Sequence, residues 1–362
     1  MSDAGAFRAQ FPVFERLAYL NAGTEGPVPR RAADAAHERI ELEVSEGRCG
    51  RSYFDTVVEL AGRLREGYAG VLGCAASEIA LTGSTTDGVN TVIAGLDLRE
   101  GDEIVTTDEE HPGLLAPLGR ARARHGITVR VAPWSELPGE ISPSTRLIAC
   151  SHVSWVSGRV MDVAALRATG VPVLLDAAQS IGAVPVDVRE LGCDFYAASG
   201  QKWLCGPEGS GCLFVHPDRV QELLIPWPGY GSLADAGRAL EFEPKEGAAR
   251  FDHGFPPGQR SAWALASLDV FAQAGWAWVH ERAASLAARL ADALAERGLE
   301  VAPRGRSTLV AWKAADPEAE VARLAEHGFV VRYIPAFGVV RASVGAWNSE
   351  DELDRLVQLA AT

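Results

Sequence analysis

Several things are missing from this 362-residue chain, and each absence narrows what it does. No run of about 18 apolar residues occurs, which excludes an ordinary membrane-spanning helix. Positive charge is in deficit: 34 Lys and Arg stand against 48 Asp and Glu, a net charge of −14. Nucleic-acid binding needs clustered cations to meet phosphates, so that class of partner is disfavoured. The six cysteines (Cys49, Cys74, Cys150, Cys193, Cys205 and Cys212) form no CxxC pair and no Cys/His zinc spacing. Reduced thiols and no metal are therefore expected. The opening residues 1–7 lack the charged-then-apolar pattern of a secretory signal, so a cytoplasmic location is expected. There is no internal repeat and no low-complexity segment.

What remains is an ordinary globular composition, with 47% hydrophobic and 23% charged residues, in a chain long enough for two domains. From about residue 55 to 225 helix-like and strand-like stretches alternate. Residues 55–72, 89–96 and 114–125 have helical periodicity, and residues 79–82, 102–107, 128–131, 147–150, 172–175 and 193–198 read as strands. This alternation predicts an α/β fold with a mainly parallel sheet covered on both faces, whose ligands gather at the carboxyl ends of the strands. After about residue 225 the texture changes. A Pro/Gly-rich crossing leads to a long helical stretch at 261–297, then to strands near 308–312, 330–332 and 339–341 and a last helix from 350. That order predicts a smaller α+β domain, joined by the N-terminal segment.

Two strand ends carry the chemistry. The apolar run 171–175 ends in Asp176, and the run 193–198 leads into Ser-Gly-Gln-Lys-Trp at 199–203, with Lys202 in the turn. A lysine just past one strand and a carboxylate at the end of its neighbour are what pyridoxal phosphate (PLP) chemistry requires: an amine to form a Schiff base and an acid to hold a proton on the ring nitrogen. Taken alone, a lysine after a strand is an ordinary solvated side chain, and an aspartate there is an ordinary helix cap. The run Ser-Thr-Thr-Asp-Gly at 84–88 lies between a strand and a helix, where hydroxyls and free N–H groups suit a phosphate.

Together these motifs resemble the class V aminotransferase (cysteine desulfurase-like) superfamily of fold-type I PLP enzymes, over nearly the whole chain. The resemblance runs from Tyr-Leu-Asn-Ala-Gly at 19–23 to Arg-Ala-Ser at 341–343, and Asp-Ala-Ala-Gln at 176–179 with the Lys202 turn is its most specific part. Glu-His-Pro-Gly at 110–113, Ser-His-Val-Ser-Trp at 151–155 and residues 202–209 look most like the L-cysteine/cystine C–S lyases. Isopenicillin N epimerase-like proteins share parts of the pattern. The resemblance implies a large PLP-binding domain at 18–250 with a mainly parallel seven-stranded-type sheet, a small domain at 251–362 with 1–17, and a homodimer.

It also implies roles. Lys202 would form the Schiff base, Asp176 would pair with the ring nitrogen, and Gln179 would bond the phenolic oxygen. Thr85, Thr86, Ser199 and Gln201 would hold the phosphate, Gln201 standing where many relatives have histidine. His111 would stack on the ring and assist proton transfer; His152 resembles a further position near the cofactor. Arg341 would bind the substrate carboxylate and Arg332 would lie near the substrate. Selectivity would rest on segments around Asn21, Trp155 and Tyr230.

Two departures shape the expected reaction. The segment 333–340, where desulfurases of this kind carry a nucleophilic cysteine, has none; persulfide formation needs a thiolate. Phe255 stands where relatives often place a threonine that reaches the partner subunit's phosphate. The expectation is a lyase that cleaves cysteine, cystine or a related β-thio amino acid by α,β-elimination. Desulfuration, epimerisation and transamination are the alternatives on the same cofactor.

Overall fold

The computed structural model describes residues 3–360; positions 1, 2, 361 and 362, at the ends of the expected small domain, lie outside the described residues. Twelve strands occur among the described residues. They are β1 (Ala18–Tyr19), β2 (Ile79–Thr82), β3 (Glu103–Thr107), β4 (Thr128–Ala132), β5 (Thr145–Ser151), β6 (Val173–Asp176), β7 (Phe195–Ser199), β8 (Gly211–Val215), β9 (Leu309–Lys313), β10 (Phe329–Val330), β11 (Arg332–Ile334) and β12 (Val339–Ser343). The helices are α1 (Ala4–Arg8), α2 (Arg30–Glu46), α3 (Gly50–Leu72), α4 (Thr85–Gly95), α5 (Pro112–His125), α6 (Val163–Arg167), α7 (Val188–Leu191), α8 (Gly258–Ala274), α9 (Trp276–Glu296), α10 (Pro317–Glu326) and α11 (Glu350–Ala360).

Seven strands form one sheet in the order β2-β8-β7-β6-β5-β3-β4. The neighbours from β7 to β4 run parallel, whereas β8 is antiparallel to both β7 and β2. The sheet is thus mixed and mostly parallel. Apart from the edge strand β4, which is largely exposed, its strands are buried on both faces, and alternate residues feed two separate cores. Leu174, Phe195 and Leu213 pack with Val89 and Val92 of α4 and with Leu114 and Leu118 of α5. Leu175, Tyr196 and Phe214 point the other way, toward Leu64 and Tyr68 of α3 and Leu268 of α8. Period-two side chains sandwiched between helices explain why these strands read as continuous apolar runs.

A second layer is smaller. The antiparallel sheet β11-β12-β9 is covered by α9 and α11, through Leu286, Leu290 and Leu294 on one helix and Leu353 and Leu356 on the other. The two-residue strand β1 pairs in parallel with β10, so the N-terminal segment joins this region. Phe7, Phe11, Phe14, Phe271, Trp203 and Trp347 make an aromatic cluster between the layers. The long helix read at 261–297 is two helices: α8 and α9 break at Gly275, whose φ of 87° no other common residue adopts without strain. The helix α2 and the strand β8 have no counterpart in the sequence reading.

Candidate active site

The sheet topology brings the chemistry to one edge. The strands β3, β5, β6 and β7 run the same way, and β2 runs with them because two antiparallel steps separate it from β7. Their carboxyl ends therefore lie side by side and present the turn after Thr107, Ser151, Asp176, Ser199 and the start of α4. This is the edge at which such sheets collect ligands.

Asp176 closes β6 and is buried, at 5% exposure. Its carboxylate accepts the N–H of Ala178 at 2.9 Å. Burial raises its pKa, opposed by that hydrogen bond and by the nearby Lys202 amine. Lys202 sits in the turn after β7, with its amine pushed down to about 8, mainly by burial. Arg341 and Arg332 push it the same way, while Asp176 and Glu25 pull it back. The lysine turn is held from three sides. Gly26 N–H donates to the Gln201 carbonyl at 2.7 Å, and Cys205 N–H to the Lys202 carbonyl at 3.1 Å. The Trp203 indole donates to Gln179 Oε1 at 3.0 Å from within the aromatic cluster. Cys205 has the left-handed φ of 54°, and its carbonyl accepts from Trp263 and Ser267 of α8.

Beside this pair a hydroxyl cluster joins β7 to α4. Ser199 Oγ accepts the Thr85 N–H at 3.0 Å and shares a 2.6 Å bond with Thr85 Oγ1. Ser84 caps α4 by accepting the Asp87 N–H. Thr86 is half-buried in the first turn; a Cβ on Gly113 would lie 2.5 Å from its hydroxyl, so only glycine fits there. The oxygen of the Gln201 amide is buried without a partner. A helix start lined with hydroxyls and backbone N–H groups has the chemistry of a phosphate cradle, in which Gln201 would act through its Nε2 donors and not through this oxygen.

The other wall is cationic. Arg341 is fully buried on β12; it donates to the Trp155 carbonyl at 2.6 Å and to Thr24 Oγ1 at 3.5 Å, while its Nε has no partner. Arg332 lies opposite it across the β11–β12 ladder and donates to the same Thr24 oxygen at 2.9 Å. No ion pair to an acid is formed by either guanidinium among the described residues. Burial, then Arg332, pulls the Arg341 pKa down to about 9. A buried cation with no acid costs several kcal/mol, which an arriving anion would offset. Thr24 in turn donates to Asn21 Oδ1 at 2.7 Å, and Asn21 bridges to Ser343. Gly23 lets these groups meet: a Cβ there would lie 2.8 Å from both Gln179 Oε1 and Ser343 Oγ. Gln179 itself is buried and donates to the Gly23 carbonyl at 2.7 Å.

His111 forms the third side. It caps α5, where its Nδ1 accepts the Gly113 N–H at 3.0 Å. Its ring meets the Trp155 indole edge-on, with centroids 4.9 Å apart. Burial, followed by Lys202, Arg332 and Arg341, lowers its pKa to about 4. The imidazole is therefore neutral at pH 7 and, with Nδ1 accepting, carries its proton on Nε2. The Trp155 Nε1–H is buried and unpartnered, and Phe337 closes on the same indole at 6.2 Å.

The structure therefore gathers Lys202, Asp176, Gln179, Thr85, Thr86, Ser199, Gln201, His111, Arg341, Arg332, Asn21 and Trp155 around one edge and one wall. His152 adjoins Asp176, to whose carbonyl its backbone N–H donates at 2.9 Å, and its Nδ1 bonds the Tyr196 hydroxyl at 3.0 Å, which in turn bonds Ser180. Tyr230 is exposed and packs on Phe255. Sequence reasoning missed Thr24, the hinge of the cationic wall; a threonine three residues after Asn21 gives no signal until β1 and β12 are assembled. It also passed over the scarcity of lysine: Lys202, Lys245 and Lys313 are the only three in the chain.

These elements place the protein in a known class. The family model for aminotransferase class-V matches residues 19–356, and the chain belongs to that family. A probable cysteine desulfurase of Methanothermobacter thermautotrophicus is 34% identical over 68% of this chain and 64% of that one. Isopenicillin N epimerase of Streptomyces clavuligerus is 29% identical over 93% of this chain and 92% of that one. Among solved structures, the cystine C–S lyase C-DES in complex with cysteine persulfide superposes with a TM-score of 0.91 at 28% identity, covering 97% of this chain and 99% of that one. A C-DES variant with glycine covalently linked to its PLP cofactor gives a TM-score of 0.92 at 28% identity, covering 98% of each chain. The family is one of PLP-dependent enzymes. Among the described residues no helix is long and apolar enough to cross a membrane.

Proposed function

We propose that this protein is a PLP-dependent lyase that breaks the β C–S bond of cysteine, cystine or a related β-thio amino acid, releasing pyruvate and ammonia. The observation that carries the lyase reading is the segment 333–340. It presents Phe337 to Trp155 and holds no cysteine, so a thiolate to accept sulfur is missing at that place. The thiols of Cys150, Cys193, Cys205 and Cys212 are buried and pushed well up by burial, and Cys74 is pushed up to about 12. Cys49 is exposed at the start of α3. The likeness to C-DES supports the same reading.

Thr85, Thr86, Ser199 and Gln201 would hold the cofactor phosphate, and Lys202 would be its covalent anchor. Asp176 would hold the proton on the ring nitrogen, and Gln179 would face the phenolic oxygen. Bound there, PLP supplies an electron sink for the pair left at the substrate Cα. The chain's own groups do the rest. Arg341 binds the substrate carboxylate, with Arg332 beside it, and so fixes which substituent of Cα stands toward Lys202. The Lys202 amine, lowered to about 8, loses its proton far more readily than an exposed lysine and is still basic enough to take the Cα proton. His111, neutral and donating through Nε2, hydrogen-bonds the departing sulfur. Trp155 and Phe337 exclude water from that side. The Cα–H and Cβ–S bonds break, the sulfur leaves with the electron pair, and the released 2-aminoacrylate hydrolyses to pyruvate and ammonia.

The test is a product assay on the purified enzyme with cysteine and cystine. Pyruvate with sulfide or persulfide in equal amounts is expected. Alanine as the carbon product would instead indicate a desulfurase. The likeness to isopenicillin N epimerase over most of the chain supports a second reading. Loss of optical activity without keto acid would select it.

A further inference from the structure

An acidic doublet, Glu109-Glu110, follows β3. Glu110 is buried, at 3% exposure, at the bottom of the site. Its carboxylate takes the Thr107 hydroxyl at 2.6 Å, the Ser151 N–H at 2.9 and 3.0 Å, and the Ser151 hydroxyl at 2.5 Å. Ser151 is the last residue of β5 and stands opposite Asp176 in the ladder. Glu109, half-buried, reaches further along the same segment. It accepts the hydroxyls of Ser154 and Ser157 and pairs with Arg159 at 3.4 Å. The two neighbouring carboxylates thus grip the segment 151–159 at both ends. Between the grips lies Trp155, and directly after the doublet comes His111, whose ring meets that indole.

Fold stability alone gives no reason for this arrangement. Burying Glu110 raises its pKa to about 7 despite three donors, so its charge is held against a desolvation cost. A pair of apolar side chains would join the β3 and β5 ends without that cost. What carboxylates add is direction: each accepts several donors at fixed angles and so sets the rotation of the loop, not merely its distance.

We propose that Glu109 and Glu110 are positioning residues, a clasp that locks the segment 151–159 to the turn after β3 and so sets the His111 ring against the Trp155 indole where both face substrate. This inference rests on the reading of His111 and Trp155 as site residues. The clasp acts through them and touches neither substrate nor cofactor.

The test uses two variants and two readouts. Ser154→Ala with Ser157→Ala removes both hydroxyls from Glu109, and Glu110→Gln keeps the volume of the side chain but removes its charge. In the apoprotein, the His111 ring-proton NMR signals are displaced by the ring current of Trp155, with Trp155→Ala as the undisplaced reference and His111→Gln for assignment. The clasp variants are expected to lose at least about half of that displacement while Tm does not fall below wild type, and in the holoenzyme kcat on cystine is expected to fall about tenfold with KM changed less than about twofold. Unchanged His111 signals and kcat overturn the proposal, and so does a fall in Tm that leaves both in place, since that is mere structural support. Should Glu110→Gln fail to fold, the serine pair decides. Should the wild-type enzyme release no keto acid, the lyase reading fails, while the NMR arm still decides the clasp.

Discussion

The two halves of the site differ in how they satisfy their polar groups. On the strand-end side, Asp176, Ser199, Thr85 and Gln179 bond to one another or to backbone, and this half is close to complete as it stands. On the wall made by β11 and β12, Arg332 and Arg341 share one threonine oxygen, and the Arg341 Nε bonds to nothing. A satisfied half suits a cofactor that stays; an unsatisfied half suits an anion that comes and goes. Substitutions in the two halves should accordingly differ in kind.

Lys202→Ala has the largest expected effect, since on the proposed function it removes both the covalent anchor and the base. Turnover of cystine should fall about 10⁴-fold or more, and reduction should no longer fix cofactor to the chain. Asp176→Asn keeps an acceptor for Ala178 N–H but loses the charge. A loss in kcat of about 10³-fold with little change in KM is expected from steady-state kinetics. Arg341→Met sharpens the contrast between the halves. It should lower kcat/KM about 10²-fold, mostly through KM, yet raise the Tm of the apoprotein, because an uncompensated buried cation is removed. A fall in apoprotein Tm would break the comparison.

The acid doublet gives a smaller effect, one of pH. The folded pKa of Glu110 is raised to about 7, above its unfolded value, so the folded state binds the extra proton. Its contribution to stability is therefore most favourable below the ordinary glutamate range and declines as pH rises toward about 7. The Tm advantage of Glu110→Gln over wild type should widen across that window in scanning calorimetry. Asp176, one strand away, adds to the rise, and the buried thiol of Cys150, the other titratable group near Glu110, is itself pushed up by it. Smallest of all, Cys205→Ser should leave pyruvate release within about twofold of wild type, since a thiol held in packing carries no sulfur.

Much of the strand-end half was legible in the sequence. Asp176 and Lys202 each follow an apolar run, and Ser84 through Gly88 stand at a strand-to-helix turn; strand ends are where local pattern and site coincide. The wall was legible only in part. Arg341 and Arg332 could be named by resemblance, but that they face each other without an acid is a property of the β11–β12 register. Thr24 and Asn21 meet them only because the N-terminal strand pairs with β10, a contact across some three hundred residues of chain. The break at Gly275 escaped because helical periodicity continues on both sides of it. His152 was named by resemblance, but its bond to the Tyr196 hydroxyl across two strands had no signal in the local pattern.

The central claim is that the amine of Lys202 anchors the cofactor, and the chain's three lysines make it easy to test. The yellow holoenzyme would be reduced with borohydride, digested and mapped by mass spectrometry. The account predicts a pyridoxyl label on Lys202 and on neither Lys245 nor Lys313. An unlabelled Lys202, or a label carried by either of the other two, would contradict it.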